Sequence, residues 1–424
     1  MDVIFEPGRG FAQRLDAADE LACFREAFAV ADPDLIYVDG NSLGRLPRRT
    51  VERVQRAVEV EWGNDLIRGW NGGWYEAPTR VGEKIAHLVG AEPGQVVVSD
   101  STSVNLYKLT MAALGMRPDR ERIVSDVLNF PSDLYILQGG ARLLGDHHQI
   151  HLAPSADGIT VDQQVLFDAI DERTALVTLS HVTFKSGFLY DAAAVTARAH
   201  QVGALVLWDL SHSVGVVPIQ LDHWRVDLAV GCTYKYLSGG PGAPAFLYVR
   251  RDLQEEALSP IWGWFGQRSP FDFELEYEPM EGVGRFLVGT PPILSLLAME
   301  SALDLLLEAG LERIRRKSVR LTSYLVYLVD TVLAPLGFAL GSPRDPARRG
   351  SHVSIQHPEG YRINRALIEE MGVLPDFREP DNIRLGLVPL YTSFAEVWEA
   401  VDRIRQVVEE ERYLRYPAER LLVT

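Results

Sequence analysis

Between about residues 80 and 250, short runs of apolar and β-branched residues alternate with longer stretches whose apolar positions recur at helical spacing. The short runs are Gln95 to Ser99, Arg122 to Ser125, Leu176 to Leu179, Ala204 to Trp208, Leu228 to Gly231 and Ala245 to Val249. Their near-continuous apolar character predicts strands buried on both faces. Helical patterns at Val104 to Leu114 and Ala192 to Val202 fall between them, as expected of βαβ units on a mainly parallel sheet. A proline pair, Pro291-Pro292, then opens a long helical pattern from Ile293 to Ala309. Further helices are predicted at Leu311 to Val332, Arg362 to Glu370 and Ala395 to Glu411, around short strands at Ser351 to Gln356 and Asn382 to Val388. The pattern predicts an α/β chain in three parts: an N-terminal segment over 1–60 that packs with the smaller domain, a large domain over 61–291 and a smaller α+β domain over 292–424. Gly341 to Gly350 reads as a surface loop.

Length supports the division, because 424 residues exceed the size at which one hydrophobic core stops growing. A net charge of −16 argues against nucleic acid and anionic membrane surfaces as partners, since both demand a basic face. It leaves room for an anionic small molecule in a local positive pocket. The two cysteines, Cys23 and Cys232, are too few for a disulfide framework and lack zinc-site spacing, so a reducing cytoplasm and no metal are expected. Met1 to Pro7 has neither a basic start nor an apolar core, so no export is expected. Leu321 to Leu340 comes nearest to a membrane span, but Asp330 and Pro335 interrupt it, and a buried helix is expected instead.

The chain carries five lysines against thirty-seven arginines. Lys235 sits in Gly231-Cys232-Thr233-Tyr234-Lys235-Tyr236-Leu237-Ser238-Gly239-Gly240-Pro241-Gly242 and is a candidate for work that needs a primary amine. A guanidinium stays protonated and cannot condense with an aldehyde, whereas an ammonium can be desolvated into its neutral form. Upstream, the predicted strand Ala204 to Trp208 ends in Asp209, followed by Leu210-Ser211-His212. The C-terminal end of a buried parallel strand is where α/β folds place ligands. A lysine paired with such an aspartate suits pyridoxal phosphate, whose ring nitrogen requires an acidic partner; His212 would support that carboxylate or contact the phosphate. Ser101-Thr102-Ser103 opens a helix and offers amides and hydroxyls to a phosphate. Asn129-Phe130-Pro131-Ser132-Asp133 follows a strand and brings an aromatic that can stack on a planar ring.

Taken together in this order, Gly40-Asn41-Ser42-Leu43-Gly44, Phe130-Pro131-Ser132-Asp133, Trp208 to Gly215, Tyr234-Lys235-Tyr236-Leu237, Gly263-Trp264-Phe265-Gly266 and Pro291-Pro292-Ile293-Leu294 resemble kynureninase. The resemblance runs from about residue 36 to 394 and implies a fold-type I pyridoxal phosphate enzyme of the transferase-like fold. It implies that Lys235 carries the cofactor, Asp209 pairs with its ring nitrogen and Phe130 stacks on the ring. Thr102, Ser103, Asp133, His212, Tyr234 and Thr290 would complete the cofactor site, and Trp264 would reach the phosphate of a neighbouring subunit in a homodimer. Arg384 would grip the substrate α-carboxylate through a bidentate fork, with Asn41 and Trp70 also on the substrate side. The implied reaction is hydrolysis of L-kynurenine, or its 3-hydroxy form, to anthranilate or 3-hydroxyanthranilate and L-alanine, in tryptophan degradation or NAD biosynthesis. Lys235 and Tyr234 would move protons and Asp209 would hold the ring charge.

Two positions depart from the family. Thr290 stands where many relatives have asparagine, and Trp70 where some carry histidine. Both would tune the preference between the two kynurenines. A cysteine desulfurase-like lyase of the same fold type is the alternative, but it needs a nucleophilic cysteine on a mobile loop, and neither Cys23 nor Cys232 is so placed in the sequence. A non-catalytic module of the same fold would have no reason to keep lysine, aspartate and arginine together.

Overall fold

The six predicted apolar runs lie in one seven-stranded sheet in the computed structural model, which describes residues 4–419. Met1 to Val3, the start of the stretch read for an export signal, lie outside the described residues. Across the sheet the strands are Val96–Val98, Phe246–Val249, Leu228–Gly231, Leu205–Asp209, Thr174–Ser180, Arg122–Asp126 and Gln149–Ala153. Phe246–Val249 runs antiparallel to both neighbours, and the remaining pairings are parallel. Side chains alternate between two cores, as a period of two requires: Val206 and Trp208 face one side, Leu205 and Leu207 the other. The seventh strand, Gln149–Ala153, escapes a pattern search because it lies at the sheet edge and is mostly exposed or half-buried.

A separate core is built on a four-stranded antiparallel sheet in the order Asp376–Arg378, Asn382–Gly386, His352–Gln356, Ala339–Leu340. Helices Leu311–Leu328, Gly360–Glu370 and Phe394–Glu409 cover it with buried Leu321, Leu325, Leu367 and Val401. The stretch Leu311–Leu336 is long and apolar enough to cross a membrane by composition, yet Leu321, Tyr324, Leu325 and Leu328 are buried in this core.

The N-terminal segment is shared between the cores. Ala12, Leu15, Ile36 and Val38 belong to the smaller one, and Ile36–Tyr37 pairs in parallel with Val373–Leu374. Helix Arg48–Arg56 instead packs on Ile293–Ala309, where Thr50 and Ser301 hydroxyls lie 2.8 Å apart. That long helix also departs from the predicted layout, since Leu296, Met299, Leu303 and Leu306 are buried with the large sheet. A proline pair interrupts the chain without marking where one core ends, so the division at residue 292 cuts through the larger core. Gly341 to Gly350 is likewise more than a surface loop. The Ser342 hydroxyl donates to the Ser186 carbonyl at 2.6 Å, and Arg349 is buried, donating to the Pro343 and Arg344 carbonyls.

Leu303→Ala should therefore destabilise the unit that carries the large sheet by about 2–5 kcal/mol, the usual cost of truncating a buried leucine. Urea unfolding followed by tryptophan fluorescence measures it as a lower midpoint; an unchanged midpoint would remove this helix from the core.

Candidate active site

Strand ends and turns along one edge of the large sheet bring the chemistry together. Asp209 is the last residue of its strand and is 5% exposed. Its Oδ1 accepts from the Ser211 amide at 2.9 Å and the Ser211 hydroxyl at 2.6 Å, which fixes the carboxylate. Burial raises its pKa, opposed by the Ser211 hydrogen bonds and by Lys235. Lys235 follows the next strand in a tight loop, where Ser238 has φ 53° and its amide donates to the Lys235 carbonyl at 2.9 Å. The N-terminal segment clamps that loop: the Gly44 amide donates to the Tyr234 carbonyl at 2.8 Å, and a Cβ at Gly44 would come within 2.4 Å of the Lys235 carbonyl oxygen.

Lys235 Nζ lies 2.9 Å from His212 Nε2. Burial pushes the His212 pKa well below its ordinary value, and Lys235, His352, Arg384 and Arg378 push the same way. The imidazole is therefore neutral, and its Nδ1 is enclosed with no partner among the described residues. Lys235 Nζ also lies 6.0 Å from the Phe130 ring centroid and 5.8 Å from that of Tyr234. Asp133, 4% exposed, sits in the first turn of helix Pro131–Leu143. Its pKa is raised well above the usual carboxylate range, first by burial and then by Asp209, with Lys235 opposing. Two buried carboxyls around one amine form a site short of positive charge, and a protonated heterocycle is the kind of group that supplies it. Burial, reinforced by Cys232, raises the Tyr234 phenol.

Ser101 caps helix Thr102–Gly115 by accepting from the Val104 amide at 3.4 Å, leaving Thr102 and Ser103 in its first turn. The Ser103 and Ser132 hydroxyls lie 3.2 Å apart, joining this helix to the Phe130 turn. That arrangement fits a phosphate: helix amides with two hydroxyls beside them.

The smaller domain contributes Arg384, 2% exposed. Its Nε and Nη2 donate to Asp376 at 2.7 and 2.6 Å, so the guanidinium fork is held by a buried carboxylate on the adjacent strand. Nη1 donates to the Phe184 carbonyl and Nη2 to the Ser42 hydroxyl, which leaves one Nη1 hydrogen without an acceptor among the described residues. Asn41 is fully buried with neither amide atom partnered among the described residues, and a Cβ at Gly386 would lie 1.7 Å from its Oδ1. Glycine there lets the amide approach the strand that carries Arg384.

Three expected residues lie elsewhere in the chain's contacts. Trp70 and Trp264 both meet Phe265, with ring centroids 6.0 and 4.8 Å away, rather than Phe130 or Tyr234, and Thr290 is exposed. Residues missed by sequence reasoning include His352, whose ring centroid is 5.4 Å from that of His212, and Asp376. A signal for Asp376 was present: Glu379-Pro380-Asp381 between alternating strands reads as a turn, and closing it places Asp376 opposite Arg384.

The Phe130 turn rests on Asp126, whose Oδ1 accepts from the Leu128 amide at 2.5 Å and whose Oδ2 accepts from the Tyr190 hydroxyl at 2.9 Å. Burial raises its pKa from 3.8 to about 6. The folded protein then binds more protons than the unfolded chain between those values, so stability falls as pH rises across that window. Asp126→Asn should flatten that fall by up to about 3 kcal/mol, read from urea unfolding at the two ends of the window. Parallel curves for mutant and wild type would contradict it.

Comparison with known proteins places this geometry in a family. The C-terminal domain model of kynureninase matches residues 314–404. Kynureninase of Pseudomonas fluorescens is 44% identical over 404 residues, covering 94% of this chain and 95% of that protein. Kynureninase of Burkholderia pseudomallei strain 1106a is 43% identical over 407 residues, covering 95% and 96%. Among solved structures, a cysteine desulfurase of Thermococcus onnurineus NA1 superposes with a TM-score of 0.79 at 20% identity, covering 92% of this chain and 98% of that one. One from Escherichia coli gives 0.77 at 18% identity, covering 93% and 98%. The desulfurases share the fold, while near-full-length identity above two-fifths fixes the closer kinship: the chain belongs to the kynureninase family.

Proposed function

We propose that this protein hydrolyses the Cβ–Cγ bond of L-kynurenine, or its 3-hydroxy form, releasing anthranilate or 3-hydroxyanthranilate and L-alanine, with pyridoxal 5′-phosphate as cofactor. Kinship along nearly the whole chain supports the reaction. The observation that carries the site is one lysine amine set 2.9 Å from a neutral histidine, beside two buried carboxyls. Lys235 would hold the cofactor covalently, Asp209 would face its ring nitrogen, Phe130 its ring, and Thr102 and Ser103 its phosphate, with Asp133 and His212 closing the rim. Bound pyridoxal phosphate supplies an electron sink for the bonds next to the substrate amine.

Around it the chain's own groups divide the labour. Arg384, aimed by Asp376, turns its free Nη1 hydrogen to the substrate α-carboxylate, and the unpaired amide of Asn41 meets a polar substrate atom nearby. Lys235 takes the α-proton as a general base and returns it to Cα before alanine is released. Water adds its hydroxyl to the γ-carbonyl carbon, the Cβ–Cγ bond breaks, and Tyr234, whose raised pKa keeps it protonated, delivers a proton to Cβ. The water's remaining proton restores Tyr234, so the balance is one water consumed, with an aryl carboxylic acid and alanine formed.

A second copy of the chain completes the site in this reading. Trp264 is 40% exposed, and Phe271 and Phe273, in the same stretch, are 61% and 78% exposed. An apolar surface of that kind suits a homodimer in which Trp264 meets the partner's cofactor phosphate. The free cysteines, Cys23 and Cys232, suit a cytoplasmic enzyme.

The purified protein should be yellow and release blue-fluorescent anthranilate from L-kynurenine. Lys235→Ala should lose turnover by a factor of about a thousand or more, because both the covalent attachment and the base disappear. A yellow protein that consumes cysteine and forms no anthranilate would return the desulfurase-like reading. Trp264→Ala should weaken cofactor binding about tenfold, measured by apoenzyme titration, through one lost charge-assisted hydrogen bond. A chain that is monomeric by light scattering would remove the shared site.

A further inference from the structure

On the opposite side of the Asp209 strand end lies a cavity of about 440 Å³, within the range of small-molecule sites. His181 lines it, is 2% exposed, and has no hydrogen-bond partner for either ring nitrogen among the described residues; Nδ1 is fully enclosed. Burial, with Arg315 nearby, lowers its pKa to about 3, so the ring is neutral at working pH and presents one donor. A buried imidazole left unpaired calls for a ligand or water at its open edge.

Two other features face the same space. Helix Ala192–Gln201 begins on the cavity wall, and the amides of Ala192 and Ala193, which line it, meet no acceptor among the described residues. Its capping residue Asp191 has its carboxylate engaged by the Ala194 amide at 3.0 Å. From the smaller domain, Arg348 reaches the cavity, with its guanidinium 4.8 Å from the Phe188 ring centroid and no ion pair among the described residues. Leu189, Val217, Pro218 and Trp224 supply an apolar wall.

We propose that this cavity is a second ligand site, separate from the lysine site, for a small monocarboxylic acid with an apolar body. The carboxylate takes the helix amides, the His181 N–H and the Arg348 guanidinium. The apolar body lies on Trp224. The Asp191 carboxylate, held by the Ala194 amide, opposes every added negative charge, so a dicarboxylate is disfavoured more than a monocarboxylate. Because Arg348 comes from the smaller domain and His181 from the larger, an occupant bridges the two. The His181 amide also donates to the Asp209 carbonyl at 2.9 Å, which puts the occupant next to the strand end that carries the proposed ring partner.

A crystal of the holoenzyme soaked with 4-bromobenzoate should show a bromine anomalous peak between Trp224 and Pro218. Calorimetric titration should show Arg348→Gln weakening 4-bromobenzoate about tenfold, the loss of one charge-assisted hydrogen bond, and wild type binding phthalate more weakly than benzoate. Arg348 is exposed, so the variant should fold as wild type does. A peak beside Lys235 alone, binding at crystal concentration only, or equal affinity in the variant would overturn the proposal. None of these outcomes depends on whether kynurenine is the substrate.

Discussion

Charge held out of water, with too little countercharge, organises this molecule. Asp133 and Asp209 are both buried, and each is raised above the ordinary carboxylate range because burial outweighs what Lys235 and local hydrogen bonds return. Moving such groups from water costs several kcal/mol unless a cation stands close. The fold accepts that cost because the Asp209 strand, the Lys235 loop and the Phe130 turn are tied to rigid elements: the Ser211 hydroxyl bridges from Asp209 to the Cys232 amide, and Asn129 bonds both Ser125 and Ser180. The site is thus short of positive charge as it stands.

The same logic, with the signs reversed, applies to Arg384. A buried guanidinium needs a carboxylate, and Asp376 meets it through two parallel hydrogen bonds. That pairing crowds negative charge: burial and then Asp376 raise the Asp39 pKa to about 6, although Ser42, Arg384 and Arg378 pull it down. Arginine is thus held rigid by its planar fork, with part of its donor set unspent among the described residues.

Most of the large sheet could be read from the sequence because strands buried on both faces announce themselves as apolar runs, and Leu205–Asp209 did so with Asp209 at its end. Lys235 stood out through the scarcity of lysine. What stayed hidden depended on pairing between distant segments. Ile293–Ala309 is apolar on most sides, so its pattern shows burial without saying in which core. His352 begins a strand whose alternation resembles any other, and only the packed fold sets it beside His212. Trp70, Trp264 and Thr290 were legible by family resemblance alone, and their contacts within one chain do not explain them.

The short parallel pair Ile36–Tyr37 with Val373–Leu374, together with the Gly44 amide on the Tyr234 carbonyl, ties the first tenth of the chain to both the lysine loop and the last fifth. On the ribosome, Ile36–Tyr37 has to wait, without its strand partner, until almost everything else has emerged. A nascent chain can therefore complete the large sheet while the strand that carries Arg384 is still to be made.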